Sequence, residues 1–167
     1  SALTSRFSDN VLDATNAYAH YVESADALTG IPADVLETAH DAAAVDGKPG
    51  WKFTLHAPSF MPVMQYADNR NLRETLYRAY ATRAAEFGKP EWDNTGLIRE
   101  IVALRRELAQ LLGFASFAEY SLEPKMAESP QQVLQFLGDL AAKSQPFAQR
   151  DLAELKQYAR DELKLAD

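Results

Sequence analysis

Three histidines are the side chains in this chain best suited to bind a metal or transfer protons near neutral pH: His20, His40 and His56. None stands three or four residues from another, and the motif H-E-x-x-H, which puts two zinc ligands on one helix face, does not occur. A zinc site would need a convergence of distant residues. His20 and His56 could approach one another if their strand-like segments pair. Surface or edge-strand positions are more common, and we favour them.

A concentration of charge occurs at Asp68, Arg70, Arg73 and Glu74. An arginine of this cluster could clamp a substrate carboxylate through two parallel hydrogen bonds. The same residues could instead begin a helix, with exposed ion pairs that contribute less than about 1 kcal/mol each. We favour this second, local interpretation.

Tyrosines and methionines around the same cluster could line a groove for a peptide: Met61, Met64, Tyr66, Tyr77 and Tyr80. At helical spacing such residues more often belong to a core and its rim. They are therefore a weak indication of peptide binding.

Six carboxylates fall on predicted helix faces, where a solvated role is far more common than acid–base catalysis. They are Asp9, Asp13, Glu100, Glu107, Glu154 and Asp161. The sequence contains neither the serine elbow G-x-S-x-G nor a phosphate-binding glycine loop. The residues by themselves identify no catalytic residue, no cofactor-binding residue and no metal ligand.

Composition indicates one ordinary globular protein. The chain has 167 residues, 47% hydrophobic and 25% charged, with a net charge of -7. This acidic balance argues against nucleic-acid and anionic-membrane partners, which attract basic patches. No apolar run approaches the ~20 residues that span a bilayer. The absence of cysteine excludes disulfides and fits a reducing compartment.

Hydrophobic periodicity predicts helices separated by two short strands. A helix is predicted over Thr4–Thr15 and another, with Pro32 in its first turn, up to about Val45. Alternation around His20 favours a strand, although continuation of the first helix is an alternative. A turn over 46–50 precedes a second strand, and the two strands are expected to pair.

The stretch Trp51–Phe87 organises the rest of the chain. Its alternation predicts a strand that Pro58 ends, followed by a short helix capped by Ser59. Asp68 or Asn71 is predicted to start a longer helix. The apolar face of that helix contains Leu72, Leu76, Tyr80 and Phe87.

Three further helices are predicted after Gly88-Lys89-Pro90. The first begins near Asp93-Asn94-Thr95 and ends at Gly113; its wide apolar stripe puts Leu104 and Leu108 in the core. The other two have the N-cap residues Ser116 and Ser129, and Pro146 should kink the last helix near Ala142. The expected fold is mainly α, a helical bundle-like segment with a minor two-stranded β element.

Three stretches of the chain point to a known family: PSFMPVMQYADNRNLRETLYRAYATRA, the WDN at Trp92 and EIVALRRELAQLLGFASFAEYSLEPKMAESPQQVLQFLGDL. These runs resemble the thimet-type zinc metallopeptidases. FSDNVLDATNAY and GIPADVLETA occur in the same order as in that family, so the resemblance covers essentially the whole chain.

The resemblance implies a cytoplasmic enzyme that degrades short peptides in a deep channel within a helix-rich shell. Zinc would sit in an H-E-x-x-H helix, whose glutamate serves as general base for a metal-bound water. The family pattern puts that motif beyond Asp167 and a helical portion before Ser1. Residues 1–167 are therefore expected to be a single interior helical segment of a larger oligopeptidase. Zinc is expected in the intact parent and not in this segment.

Two functions follow. The first is a non-catalytic scaffold section of a zinc oligopeptidase whose substrates are short peptides, inert by itself. The alternative is a free-standing helical module that binds a peptide or a partner helix. No nucleic-acid or membrane partner is expected. Apolar helix faces left without neighbours are expected to cause self-association.

Overall fold

A computed structural model describes residues 2–165, which form seven α-helices and one two-stranded sheet. The helices are α1 (Ala2–Asn16), α2 (Ala33–Val45), α3 (Ala57–Tyr66), α4 (Arg70–Ala81), α5 (Thr95–Leu111), α6 (Phe117–Leu122) and α7 (Pro130–Asp161). The strands are β1 (His20–Val22) and β2 (Trp51–Phe53), and short 3-10 turns occupy Ala25–Leu28 and Pro90–Trp92. The predicted fold class, mainly α with a minor two-stranded β element, is confirmed.

None of the described helices is long and apolar enough to cross a bilayer.

The chain forms two compact units, one up to Val102 and a second from Ala103 onward. Helix α5 begins in the first unit and ends in the second. The first unit contains the sheet and helices α1 to α4, and the second contains α6 and α7.

The two strands pair antiparallel, as the sequence predicts, with His20 opposite Phe53 and Val22 opposite Trp51. Strand β2 ends earlier than its alternation suggests, because the backbone N–H of Thr54 donates to Ser59 Oγ, 2.9 Å away. Gly50 allows the strands to meet: its φ is +81°, and a Cβ there would lie 2.2 Å from the carbonyl oxygen of Val22.

The core of the first unit is built from β2 and helices α2, α3 and α4. Its largest fully buried side chains are Phe53, Leu55, Val63 and Leu76. Further buried members of the same cluster are Leu28, Ile31, Ala39, Phe60, Ala67 and Leu72. The stretch predicted as central therefore supplies most of this core.

Two predicted helix starts are wrong in detail. Asn69, rather than Asp68 or Asn71, caps α4: its Oδ1 accepts from the N–H of Leu72 at 3.1 Å. Helix α3 begins at Ala57, so Ser59 lies inside its first turn and binds Thr54 instead of capping.

Helix α4 ends at Ala81, well before the predicted end at Phe87. The physical reason is Ala84, whose φ of 51° lies in the left-handed region and cannot continue a right-handed helix.

The helix ends predicted in the second unit are confirmed. Gly113 has a φ of +84°, and its N–H donates to the carbonyl of Gln110. The N–H of Phe114 donates to the carbonyl of Ala109 at 2.9 Å. The two bonds together form a Schellman motif, which ends α5. Ser116 and Ser129 accept hydrogen bonds that cap α6 and α7. Helix α7 is continuous through Pro146, and the kink near Ala142 stays a prediction.

The prediction that Leu104 and Leu108 belong to the core is wrong. Their exposed fractions are 47% and 42%, and the buried apolar residues of α5 are Leu97 and Ala109. The wide apolar stripe does exist, but the described residues leave nearly half of each of these leucines exposed. A wide apolar stripe indicates that a helix packs against several neighbours. It does not indicate whether those neighbours belong to the same chain.

Candidate functional site

The three histidines lie at separate places in the first unit. His20 pairs with Phe53 in the sheet, and His56 occupies the position before α3. His40, on α2, contacts Trp51 in a T-shaped arrangement, with ring centroids 6.1 Å apart. Residues 2–165 contain no group of three or more His, Asp or Glu side chains that could hold a metal.

The charged cluster after α3 is used locally. Nη1 of Arg73 donates to the carbonyl oxygens of Ala67 and Asp68 and so closes the turn between α3 and α4. Glu74 accepts from Arg78, one turn further along α4, at 2.8 Å. The geometry supports a helix start with local ion pairs rather than a carboxylate clamp.

The tyrosines and methionines do not form one groove. Tyr80 stacks on Phe60 with ring centroids 4.3 Å apart, whereas Tyr66 and Met61 are exposed. Met64 and Tyr77 border a shallow depression together with three charged residues of the same region: Arg70, Arg73 and Glu74.

The six carboxylates considered as acid–base candidates are exposed on α1, α5 and α7. Glu154 faces Arg150 at 3.7 Å, one helical turn away. Their environment is that of solvated helix faces.

A buried pair of amides that sequence reasoning missed links α1 to the start of α5. Nδ2 of Asn10 donates to Oδ1 of Asn94 at 2.8 Å, and Nδ2 of Asn94 donates to the carbonyl of Phe7 at 3.0 Å. The backbone N–H of Asn94 donates to the carbonyl of Ala84. The sequence had indicated Asn94 as a helix-start residue in the WDN run, and Asn10 only as part of FSDNVLDATNAY.

A second missed feature is a concave pocket beside Arg83, here called the Arg83 pocket. It has a volume of about 310 Å³ and lies in the first unit between α1, α4 and the segment 82–92. Its lining includes Tyr18, Leu55, Arg83, Phe87, Lys89 and Trp92. Partial burial raises the pKa of the Tyr18 phenol above its ordinary value. The pocket is mostly apolar and carries two cations.

Arg83 is fixed by neutral groups. Its Nε donates to the carbonyl of Tyr80 at 2.9 Å, and its Nη1 donates to Oγ1 of Thr15 at 3.0 Å. The guanidinium carbon lies 3.7 Å from the centre of the Tyr80 ring. The side chain is thereby oriented without being neutralised.

A polar network lies on the sheet. Asp46 accepts from the hydroxyl of Tyr21 and from Nζ of Lys52, each at 2.6 Å. The hydrogen bond from Lys52, followed by that from Tyr21, holds the pKa of the Asp46 carboxyl below its usual value. Lys48 lies over the Tyr21 ring at 4.2 Å. The network joins the strands to the end of α2.

Comparison with known proteins gives consistent matches. Residues 63–167 match the profile described as Peptidase family M3. The chain is 48% identical to "Oligopeptidase A" of Haemophilus influenzae over its full length, which is 25% of that protein. It is 47% identical to "Oligopeptidase A" of Escherichia coli over 97% of the chain, and 38% identical to "Probable cytosolic oligopeptidase A" of Arabidopsis thaliana over 96%. The chain spans about a quarter of the length of these relatives.

Proposed function

Because the chain belongs to peptidase family M3, we propose that it forms a structural portion of an oligopeptidase that hydrolyses short peptides. The observation that carries the proposal is 48% identity along the whole chain to one quarter of a protein named Oligopeptidase A. Similarity of that extent supports a shared structural role for this quarter, and the names of the relatives supply the substrate class.

The proposed role is that of a scaffold bordering the peptide channel, with catalysis carried out elsewhere in the intact enzyme. A zinc peptidase binds its metal through about three protein ligands and leaves one position for water. Residues 2–165 do not provide such a set of ligands. We therefore infer that zinc and its ligands lie in the part of the enzyme corresponding to the other three quarters of the relatives. We propose the cytoplasm as its compartment, in line with the relative named cytosolic.

Segment exchange tests the scaffold role directly. Residues 1–167 would replace the matched region of Haemophilus influenzae Oligopeptidase A, and the chimera would be assayed with a fluorogenic peptide. We expect a folded chimera that retains both zinc and peptide hydrolysis. The same relative with the region deleted is the control, and we expect it to be inactive. A chimera that folds and retains zinc but does not cleave peptides would contradict the proposed interchangeability.

The chain alone provides the second half of the test. We expect chelator-washed chain to retain no stoichiometric zinc and to leave the peptide intact. Retained zinc together with hydrolysis would overturn the scaffold role.

A free-standing peptide-binding module is the second candidate function, and the Arg83 pocket favours it. The module predicts a chimera without peptide hydrolysis. The scaffold function predicts an active chimera. The chimera therefore separates the two functions, whereas peptide binding by the chain alone is compatible with both.

A further inference from the structure

The Arg83 pocket combines an apolar interior with positive charge. Its volume of about 310 Å³ lies at the lower end of the range of roughly 300–1,000 Å³ common for small-ligand pockets. Leu55 and Ala84, both buried, and the ring of Trp92 contribute the apolar part. Arg83 and Lys89 contribute the charge.

Neither cation is neutralised. Arg83 uses Nε and one hydrogen of Nη1 for neutral acceptors, and Nη2 has no hydrogen-bond acceptor among residues 2–165. Lys89 lies 4.4 Å from the centre of the Trp92 ring. Within the same described range, no carboxylate forms an ion pair with either residue. In a chain of net charge -7, two cations without anionic partners on one pocket favour an anionic ligand.

The pocket is held in shape before any ligand arrives. Ala84 adopts a φ of 51°, a left-handed conformation that non-glycine residues rarely take. Its carbonyl accepts from the N–H of Asn94, which is itself fixed by Asn10 at 2.8 Å. An unfavourable backbone conformation maintained by buried hydrogen bonds is typical of functional sites. Thr15 holds the guanidinium from α1, so the cation is also oriented in advance.

We propose that the Arg83 pocket binds the C-terminal carboxylate and the last, apolar side chain of a short peptide. The free edge of the Arg83 guanidinium matches a carboxylate through parallel N–H···O bonds, and Lys89 adds a second positive charge. The apolar lining receives the terminal side chain. That the ligand carries a carboxylate and an apolar group is inferred from the pocket alone. That this ligand is a peptide rests on the proposed function.

Titration of the full chain with two matched peptides tests the proposal. The probes are acetyl-Ala-Ala-Leu with a free carboxylate and the same peptide as its C-terminal amide, measured by isothermal titration calorimetry. We expect the amide to bind at least about tenfold more weakly, because a hydrogen-bonded charge is lost. Equal affinity of the two peptides would overturn the proposal, and so would the absence of any binding.

Substitutions then locate the site. Arg83→Gln and Lys89→Gln should each weaken binding of the free acid, Arg83→Gln by about tenfold or more, and should leave binding of the amide unchanged. Arg78→Gln, on α4 and paired with Glu74, is the matched control and should have no effect. Lys89 is exposed, so Lys89→Gln keeps the test valid if Arg83→Gln fails to fold. Unchanged affinity of folded Lys89→Gln and Arg83→Gln would refute the assignment.

Inorganic phosphate distinguishes a peptide site from a general anion site. We expect phosphate to compete only at concentrations far above those of the peptide, because it lacks the apolar side chain. Competition at equal concentration would overturn the peptide assignment. Failure here is separable from failure of the scaffold role, since an active chimera with no binding by the Arg83 pocket would leave the proposed function standing.

Discussion

Asn10 and Asn94 are 84 positions apart in the chain and share a hydrogen bond of 2.8 Å between their side-chain amides. Both are buried, with exposed fractions of 7% and 2%. Buried amides are costly unless their donors and acceptors are satisfied, and here the pair joins α1, the carbonyl of Ala84 and the start of α5. This bond therefore connects α1 to the segment that contains Ala84, a residue that lines the Arg83 pocket.

Loss of either amide should destabilise the first unit. Asn94→Ala leaves Nδ2 of Asn10 without its acceptor, and we expect a loss of about 1–3 kcal/mol in the free energy of unfolding. The measurement is urea denaturation followed by circular dichroism. Asn10→Ala and the double variant complete a thermodynamic cycle, and we expect a coupling energy above about 0.5 kcal/mol. Strict additivity of the two losses would show that the bond contributes nothing of its own.

A comparison of two leucines tests where the core lies. Leu76 is fully buried, so Leu76→Ala should cost about 2–5 kcal/mol, the usual range for a buried leucine. Leu108 is 42% exposed, and Leu108→Ala should cost less than about 1 kcal/mol. Denaturant titration of both variants gives the answer. Equal losses would mean that Leu108 is covered in solution, as its apolar stripe alone would suggest.

Features that depend on neighbouring residues could be predicted from the sequence. Ser116 and Ser129 cap their helices because each hydroxyl reaches an N–H three residues later. Gly113 ends α5 because few other residues adopt its φ of +84°. One contact between distant residues, the pairing of β1 with β2, could also be predicted, because the sequence predicts two strands and each needs a partner.

Other features that depend on distant residues could not be predicted. The start of α4 offers three side chains of similar capping ability: Asp68, Asn69 and Asn71. Asn69 is the one that caps the helix. The backbone N–H of Asp68 instead donates to the carbonyl of Thr29, 2.9 Å away. The Arg83 pocket was missed for the same reason, since Arg83 is oriented by Thr15, which is 68 positions away on α1. Spacing along the chain contains no information on such contacts.

The Asp46 network should make stability depend on pH in the acid range. The pKa of Asp46 is lowered in the folded protein, chiefly by Lys52, so ionised Asp46 favours folding. Its contribution is present above the ordinary aspartate pKa of about 3.9 and is lost as the pH falls through the lowered value. We expect the wild type to be more stable than Asp46→Asn at pH 7, and this difference to shrink progressively below about pH 4.

Urea denaturation at a series of pH values measures that difference. Asp26→Asn is the matched control, because Asp26 is exposed and has no ion pair among residues 2–165. A wild-type advantage over Asp46→Asn that stays constant down to pH 2 would argue against the linkage.

Helix α7 should cause the chain to self-associate. Its apolar side chains are exposed along its length, Leu134 by 69% and Phe136 by 63%. Others exposed on the same helix are Leu137, Leu140, Phe147, Leu152 and Leu155. Burial of apolar surface contributes about 25 cal/mol per Å², and large exposed patches usually bind another surface. We expect the mass measured by light scattering to rise with protein concentration.

A pair of lysine substitutions tests whether α7 carries that association. Phe136 and Leu140 are one turn apart, so Phe136→Lys with Leu140→Lys puts two charges on one face and should return the chain to a monomer. Gln131→Lys with Gln135→Lys adds the same charge, at the same spacing, to a polar face of the helix and should leave the association unchanged. Equal loss of association in both double variants would show that net charge, and not the apolar face, governs it. A constant monomer mass over the whole concentration series would rule out self-association through α7.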